Sequence, residues 1–483
     1  MYLVSLELKN VRSISHIAVD FRDSIAGEGN RRWTILLGEN GCGKTTILKS
    51  IGLILAGSEA LPDILGSPNH WIRNNTERAE IHAVISTDDG LERNLSLVLN
   101  RGDRINNVLM NNLVGLNRID AAISKAERNY FIAGYGAFRS PPETSNHYST
   151  KSYSGRLGLR SQQLGTLFSK SSELIGLEQW AMDLDYVHGR KSRTIIVDAI
   201  NKLLPGMRFK DIDKNSRSII LDTPDGDVPL NQLSEGYQVM AAWAGDLLFR
   251  MTQTFEDFKD PLNARGLLLI DEMDLHLHPV WKRNLVDFLN NAFPRLQIVA
   301  TTHSPLSVQQ CREGELYVVR REDDGPTLVP FIGDPSMLRL SELFLSPLIG
   351  LETLDSPRVA ALRSQARSIE LKEGKRSKRD ETELAGIQQQ LQGTTPLPVA
   401  EAPDLESVLN LKMLSAMVSD TRTSATDINL GLALKALLAD SHLSQPDARP
   451  HEIPALPNLS INPTAATKKR TPKVKRLEHK KDT

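Results

Sequence analysis

The stretch Gly38-Glu39-Asn40-Gly41-Cys42-Gly43-Lys44-Thr45 constrains this chain more than any other. Trp33 to Leu37 ahead of it is apolar and β-prone, and Thr46 to Ile51 behind it has helical character. Strand, G-x-x-x-x-G-K-[ST] and helix, in that order, is the context a phosphate-binding P-loop requires. Its glycines let the backbone curl so that successive N–H groups converge on phosphate oxygens. Lys44 is expected to reach the β- and γ-phosphates and the Thr45 hydroxyl to bind Mg2+. Gly38, Asn40, Gly41, Gly43 and Thr46 complete the expected cradle for a nucleoside triphosphate.

A second cluster supplies what such a loop lacks. Gly266 to Ile270 is a continuous apolar run, as expected of a parallel strand buried on both faces, and it ends in Asp271-Glu272. Asp271 can hold the Mg2+ ion through its water shell, and Glu272 can orient or deprotonate the attacking water. Adjacent carboxylates repel unless a cation or hydrogen bonds compensate them. Gln297 to Thr302 reads as a neighbouring buried strand ending at His303, where an imidazole can touch a γ-phosphate and register its loss. His276 and His278 alternate on an extended segment, but no third ligand is near and the pair reads as structural.

The rest of the chain falls into order around these clusters. Tyr2 to Lys9 and Ile17 to Phe21 alternate with period two around the turn Asn10 to Ser13, predicting a hairpin. Glu80 to Ser86 and Asn94 to Leu99 predict strands, with Gly/Pro/Asn-rich loops around 61–75 before them. Asn129 to Ala137 predicts another strand, and residues 140–163 a mobile polar loop. Helical periodicity runs from Leu164 to about Leu204 with a break near Gly189. Ser218 to Leu221 predicts a strand, Val239 to Met251 a helix, and Glu315 to Arg320 with Thr327 to Ile332 a closing hairpin. Val359 to Leu391 is charged and helix-prone, interrupted near Gly374. Thr394 to Pro403 reads as a Pro-rich linker, and leucines from Leu405 to Leu438 predict a small helical module. From Ser444 the composition is that of a disordered segment.

Only two cysteines, Cys42 and Cys311, occur in 483 residues. That excludes a disulfide framework or a Cys-based zinc site and fits a reducing cytoplasm. No run of about 18 apolar residues exists and the N-terminus lacks a charged-then-apolar leader, so a cytoplasmic protein without a membrane span is expected. The formal net charge of −1 conceals a basic end: the last 16 residues, Lys468 to Thr483, carry eight Lys or Arg against two acids. This tail is a candidate for binding nucleic-acid phosphates, for docking a partner or simply for aiding solubility, and no aromatic residue interleaves the lysines to stack on bases.

Four further stretches carry a family resemblance. Leu233-Ser234-Glu235-Gly236-Tyr237-Gln238 is similar to the L-S-G-G-Q signature of ABC-class ATPases. Asp271-Glu272-Met273-Asp274-Leu275-His276-Leu277-His278-Pro279 resembles the Walker B and D-loop of RecF-like and overcoming-lysogenisation-defect-type AAA ATPases. Thr302-His303-Ser304-Pro305 resembles their switch-histidine segment, and Asn10-Val11-Arg12-Ser13 their N-F-R-S opening. The resemblance spans residues 1 to about 305 in the family's order. It implies an α/β fold: an ABC-type ATPase head over 1–345, with a mixed sheet carrying the P-loop and a helical signature subdomain at 140–230. A C-terminal helical region over 346–443, with its linker near 394–403, and a disordered basic tail over 444–483 would follow.

The same resemblance implies ATP and Mg2+ as cofactors and a homodimer with two ATPs sandwiched between protomers. Lys44, Thr45, Asp271, Glu272 and His303 would come from one protomer, and Ser234 and Gly236 from the other, with the helix N-terminus facing the γ-phosphate. Thr45 and Asp271 would hold the metal, Glu272 and His303 would be catalytic, Arg12 would touch phosphate, and Asp274 would lie at the seam. One departure stands out: no Gln occurs from Tyr135 to Arg139, where the family offers one to Mg2+, so slow hydrolysis or ATP sensing is expected. Arg139 and Ser234 are too close in sequence for a long coiled coil, and no nuclease motif is present. Compact chains of this kind resemble the ATPase subunit of the Septu antiphage system, which implies a separate HNH nuclease and a higher homo-oligomer. Alternatives are the ATPase of a retron or PARIS-type defence system, or a RecF-like repair ATPase that binds DNA directly. A transporter motor is disfavoured, since such motors are shorter.

Overall fold

The computed structural model describes residues 1–391 apart from 24–28, 88–89, 126–130, 138–157, 170–173, 190–191, 205, 256–260, 276, 347–348, 350, 352 and 372–376. The linker at 394–403, the module at 405–438, the basic tail, His276 and most of the loop expected at 140–163 lie outside the described residues.

Thirteen strands occur among the described residues, in three sheets. β1 (Tyr2–Val11), β2 (Ile14–Asp20), β4 (Arg78–Ser86) and β5 (Glu92–Asn100) form an antiparallel sheet in the order β2-β1-β4-β5. β3 (Trp33–Gly38), β6 (Ile132–Tyr135), β10 (Gly266–Ile270), β11 (Leu296–Thr302), β12 (Leu316–Glu322) and β13 (Gly325–Pro330) form the central sheet. Its order is β13-β12-β3-β11-β10-β6, parallel except for β13 at the edge. β7 (Arg208–Asp213), β8 (Ser218–Thr223) and β9 (Gly226–Pro229) make a small antiparallel meander. The α/β head expected from the sequence is therefore present, with a mixed sheet at its centre.

Alternation along the buried strands sorts their side chains into two cores, because successive residues point to opposite faces. Trp33, Ile35, Leu37, Leu268, Ile270, Ile298 and Ala300 face one core, beneath the long helix Glu235–Thr254. Leu36, Leu267, Leu269, Val299 and Val319 face the other. There the P-loop helix, Lys44–Ile54, packs against strands of both the central and the antiparallel sheet. Truncating a fully buried leucine on this helix, such as Leu48, would cost about 2–5 kcal/mol.

The sheet order sets up the site. β11 lies between β3 and β10, so the C-terminal ends of these strands stand side by side. Gly38 ends β3, and Asp271 and His303 follow the ends of β10 and β11, in the crevice where open α/β sheets bind ligands.

Several expectations differ in detail. The loop expected around 61–75 holds the end of a helix, Gly57–Leu65, with Pro62 inside it. Gly and Pro read as breakers there, but Ala60, Leu61 and Ile64 bury an apolar face that outweighs them. The expected mobile loop gives way to a helix at Leu159–Phe168, and the helical signature region also contains the β7–β9 meander. Helices Leu177–His188 and Arg193–Leu203 flank the break at Gly189. Helices Ile105–Asn111 and Leu113–Lys125 were not expected. Pro357–Glu370 and Lys378–Leu391 are helices that bury Ile369, Leu384 and Ile387 between them. No helix among the described residues is long and apolar enough to cross a membrane.

Candidate functional site

The cavity is built from the loop that leaves β3. Gly43 has φ of 102°, a left-handed conformation that glycine adopts without strain, and begins the P-loop helix. Gly38 is required for a different reason. A Cβ there would sit 2.3 Å from the Val319 carbonyl oxygen on the neighbouring β12. The Lys44 ammonium folds back onto the loop and donates to the carbonyl oxygens of Gly38 and Glu39, both at 2.7 Å. Burial pushes its pKa down, opposed by the Cys42 sulfur and the carboxylates of Asp271 and Glu272. Lys44 is therefore held, buried, on two loop carbonyls in the wall of a polar cavity.

That cavity has a volume of about 310 Å³. Arg12, Asn40, Gly41, Gly43, Lys44, Thr45, Thr46, Asp271, Glu272 and His303 all line it, together with Ser13. Residues separated by 291 positions in sequence thus meet around one space. Of the residues expected to bind phosphate within one protomer, Gly38 stands behind the wall, where its carbonyl holds Lys44.

Asp271 is fixed from two sides. The Thr45 hydroxyl donates to its Oδ2 at 2.8 Å, and the Thr301 hydroxyl donates to its Oδ1 at 2.8 Å. Thr301 Oγ1 also accepts the Glu272 N–H at 2.7 Å. One buried hydroxyl on β11 therefore orients both acidic residues at the end of β10. Glu272 has φ of 50°, uncommon for a residue with a side chain, which costs roughly 1 kcal/mol or more and persists only where neighbours enforce it. The bonds from its N–H to Thr301 and from the Leu275 N–H to its carbonyl, at 3.0 Å, provide that enforcement. Thr302 does the same for the next turn: its hydroxyl donates to Asp274 Oδ1 at 2.9 Å and accepts the Ser304 N–H at 2.9 Å. Asp274 is 5% exposed and its other oxygen lies 3.9 Å from Lys282 Nζ, so its carboxylate braces this turn from within.

Sequence reasoning did not assign roles to Thr301 and Thr302. The available signal was two hydroxyls in a strand buried at every position, since buried polar groups need partners.

Thr45 and Asp271 offer a hydroxyl and a carboxylate side by side at the cavity wall. Hard oxygen donors of this kind, few in number, suit Mg2+, which takes one or two protein oxygens and keeps waters or phosphate oxygens for the rest. No larger cluster of three acidic, His or Cys side chains arranged for a metal occurs among the described residues. His278 caps the helix Pro279–Ala292, its Nδ1 accepting the Val280 N–H at 3.4 Å.

His303 also lines the cavity. Burial and the nearby Lys44 ammonium lower its pKa below the ordinary value of 6.5, while Glu272, Asp274 and Asp271 pull the other way. A neutral imidazole at neutral pH results. Arg12 enters from the tip of the β1–β2 hairpin with φ of 53°. Its N–H donates to the Trp71 carbonyl at 2.9 Å, and its guanidinium stacks 4.0 Å from the centre of the Trp71 ring.

The signature residues stand elsewhere. Ser234 precedes the helix Glu235–Thr254 as its N-cap but makes no side-chain capping bond, and it is exposed. Gln238 holds the loop ahead of it, donating to the Leu233 carbonyl at 2.7 Å and the Asn231 carbonyl at 3.1 Å. Tyr237 meets Trp281 edge to face at 5.0 Å between ring centres, and Gly236 faces the same indole. Neither Ser234 nor Gly236 lines the cavity described above.

Topology, motif order and site together match those of the ABC-class AAA ATPases. Family models agree over two stretches: an AAA domain at residues 5–183, and an AAA domain whose description carries the label AbiEii toxin, Type IV TA system, at 181–309. More particularly, the chain is similar to the Septu protein PtuA. It is 28% identical to that of Bacillus mycoides over 328 residues, 67% of this chain and 41% of the relative. To that of Bacillus thuringiensis it is 24% identical over 337 residues, 68% of this chain and 78% of the relative. It is also 33% identical to the Retron Ec83 probable ATPase of Escherichia coli over 120 residues, 25% of this chain and 22% of the relative. The chain thus spans less than half the length of the Bacillus mycoides and Escherichia coli relatives. Among solved structures, the SMC head domain from Thermotoga maritima superposes with a TM-score of 0.38 at 16% identity, covering 68% of this chain and 99% of that one. At that score the fold rests on the topology described above.

Proposed function

We propose that this chain binds and slowly hydrolyses ATP as the sensor or scaffold subunit of an antiphage defence complex, holding a separate nuclease of HNH type in check in the cytoplasm. Its working unit is a homodimer closed over two ATPs, from which a larger homo-oligomer is built. One observation supports the dimer above all: the P-loop, Asp271, Glu272 and His303 share a cavity, whereas Ser234, exposed, and Gly236, half-buried against Trp281, both stand outside it. A single copy carries both halves of a site that only a second copy can complete.

Within that unit the residues divide the work. Lys44 exchanges its two carbonyl partners for phosphate oxygens, and the loop N–H groups cradle the phosphates. Thr45 and Asp271 would hold Mg2+, which neutralises phosphate charge when bound. Glu272, its backbone held by Thr301, takes the proton of the attacking water, and His303 hydrogen-bonds the γ-phosphate. Ser234 of a second copy supplies a hydroxyl and a helix N-terminus to the same phosphate.

The defence role draws on the likeness to Septu and retron proteins, and the latter keeps a retron ATPase as the alternative. The basic tail remains the candidate contact for nucleic acid. Two experiments test the reading. Glu272→Gln should retain ATP and accumulate as a dimer by size-exclusion chromatography with light scattering; hydrolysis at the wild-type rate would remove Glu272 as the base. Purification alongside the products of the neighbouring genes should bring down a nuclease. Recovery of DNA alone, with steeply salt-dependent affinity, would instead support a RecF-like repair protein.

A further inference from the structure

The middle of the signature helix contains a feature that nucleotide binding does not use. Asp246 and Arg250, four residues apart on Glu235–Thr254, are 0% and 4% exposed and pair with each other, Arg250 Nη2 lying 3.0 Å from Asp246 Oδ1. The Tyr135 hydroxyl donates to Asp246 Oδ2 at 2.8 Å, and the Ile175 N–H donates to Oδ1 at 3.0 Å. Arg250 also donates to the Gln162 carbonyl on the helix Leu159–Phe168. A buried ion pair is weak evidence for stability, because desolvating two charges costs about as much as their attraction returns. Its surroundings are apolar: Ala241, Ala244, Leu247 and Leu248 on the same helix are all buried.

What the network joins is more telling. Tyr135 is the last residue of β6, and its carbonyl accepts the Asp271 N–H at 2.8 Å. The residue beside the metal-binding carboxylate therefore grips Asp246 of the signature helix through its side chain. Burial among these groups keeps the phenol protonated and able to donate. A second route runs through the helix Leu159–Phe168. Its Thr166 hydroxyl donates to the Gly134 carbonyl of β6 at 2.5 Å, and its Gln163 amide donates to Thr254 Oγ1 at 2.7 Å at the far end of the signature helix. The same helix packs Leu167 and Phe168 against Gly52 of the P-loop helix.

We propose that Tyr135, Asp246 and Arg250 form the internal linkage that ties the state of the Asp271 end of the site to the position of the signature helix. Tyr135 is a positioning residue, not a catalytic one. The linkage rests on the ATPase reading above, and it places the coupling at the strand end where this chain lacks the expected Gln. Polar pairs suit the task. Each has a few discrete arrangements, so a small shift at Asp271 biases the helix between positions instead of being absorbed smoothly.

Tyr135→Phe in the full chain removes one hydroxyl and leaves Asp246 bonded to Arg250 and the Ile175 N–H. Three measurements are needed on parent and variant: binding of a non-hydrolysable ATP analogue with Mg2+, melting temperature with and without it, and amide hydrogen exchange across 235–254. The linkage predicts analogue affinity within about twofold of the parent. It also predicts that the analogue changes exchange in 235–254 of the parent, and that about tenfold of this change is lost in the variant, a coupling of ordinary size between sites. Asp246→Asn, which keeps an acceptor for Tyr135 but removes the charge facing Arg250, should lose coupling no further when combined with Tyr135→Phe. A parent that binds no nucleotide sinks the ATPase reading and the linkage together. A parent that binds but transmits no change to 235–254 sinks the linkage alone, as does a variant that transmits as the parent does. Equal loss of affinity and exchange response in step with melting would reduce Tyr135 to a packing residue.

Discussion

The P-loop end and the signature end of this head satisfy their polar groups in opposite ways. At the P-loop end both acidic residues with an expected chemical role have an internal brace: Thr45 and Thr301 hold the Asp271 carboxylate, and Thr301 holds the Glu272 backbone. At the signature end, Ser234 occupies an N-cap position yet caps nothing, and the loop is held from behind by Gln238. One end is organised before any ligand arrives; the other leaves the Ser234 hydroxyl exposed and capping nothing, as the proposed dimer requires. The difference teaches where dependence on protein concentration should enter: not in binding nucleotide, but in the steps after it.

The largest effect belongs to Lys44. Lys44→Ala removes a side chain that both lines the cavity and bridges two loop carbonyls. ATP affinity, measured by fluorescence titration, should fall by about a hundredfold or more, the equivalent of losing charge-assisted bonds to phosphate. Retention of wild-type affinity would show that the cavity is not the nucleotide site, and the contrast between the two ends would lose its basis.

Thr301→Val comes next. The substitution is nearly isosteric but leaves the Asp271 carboxylate and the Glu272 N–H without their shared hydroxyl. Stability should drop by about 1–3 kcal/mol in denaturant unfolding, the cost of stranding buried polar groups. Hydrolysis should fall about tenfold or more with ATP affinity little changed, because Glu272 is no longer held in its left-handed conformation. Unchanged turnover would mean that the preorganisation at this end is incidental.

Much of this was legible in the sequence because each local signal agreed with the fold. The continuous apolar runs at Leu267 and Ile298 announced buried parallel strands, and the charged or polar residue after each announced a site. What stayed hidden depends on contacts across long separations. Nothing local in Thr301 specifies that it serves the end of another strand. Tyr135 reads as one more aromatic residue until β6 is paired with β10 and its hydroxyl meets a helix 111 residues away. The helix Gly57–Leu65 was masked by Pro62 and its flanking glycines, local breakers overruled by packing. Short-range pattern reports elements; the braces between them are tertiary facts.

The smallest effect is also the sharpest test of the contrast. A Ser at an N-cap normally contributes about 1 kcal/mol through its bond to a helix N–H, so Ser→Ala there usually lowers stability. Ser234 makes no such bond, and Ser234→Ala should leave the unfolding midpoint within measurement error of the parent. ATP affinity of the dilute protein should likewise stay within about twofold, because the serine is absent from the cavity wall of its own copy. Hydrolysis per protomer should nonetheless fall, and the deficit should be the same at every protein concentration that saturates assembly. A loss of stability would reveal a structural cap and assign Ser234 to its own helix. A loss of affinity in the dilute protein would place the serine in the same copy's site and remove the need for a second one. Silence in both, with impaired turnover, is the combination that only a hydroxyl offered to another molecule produces.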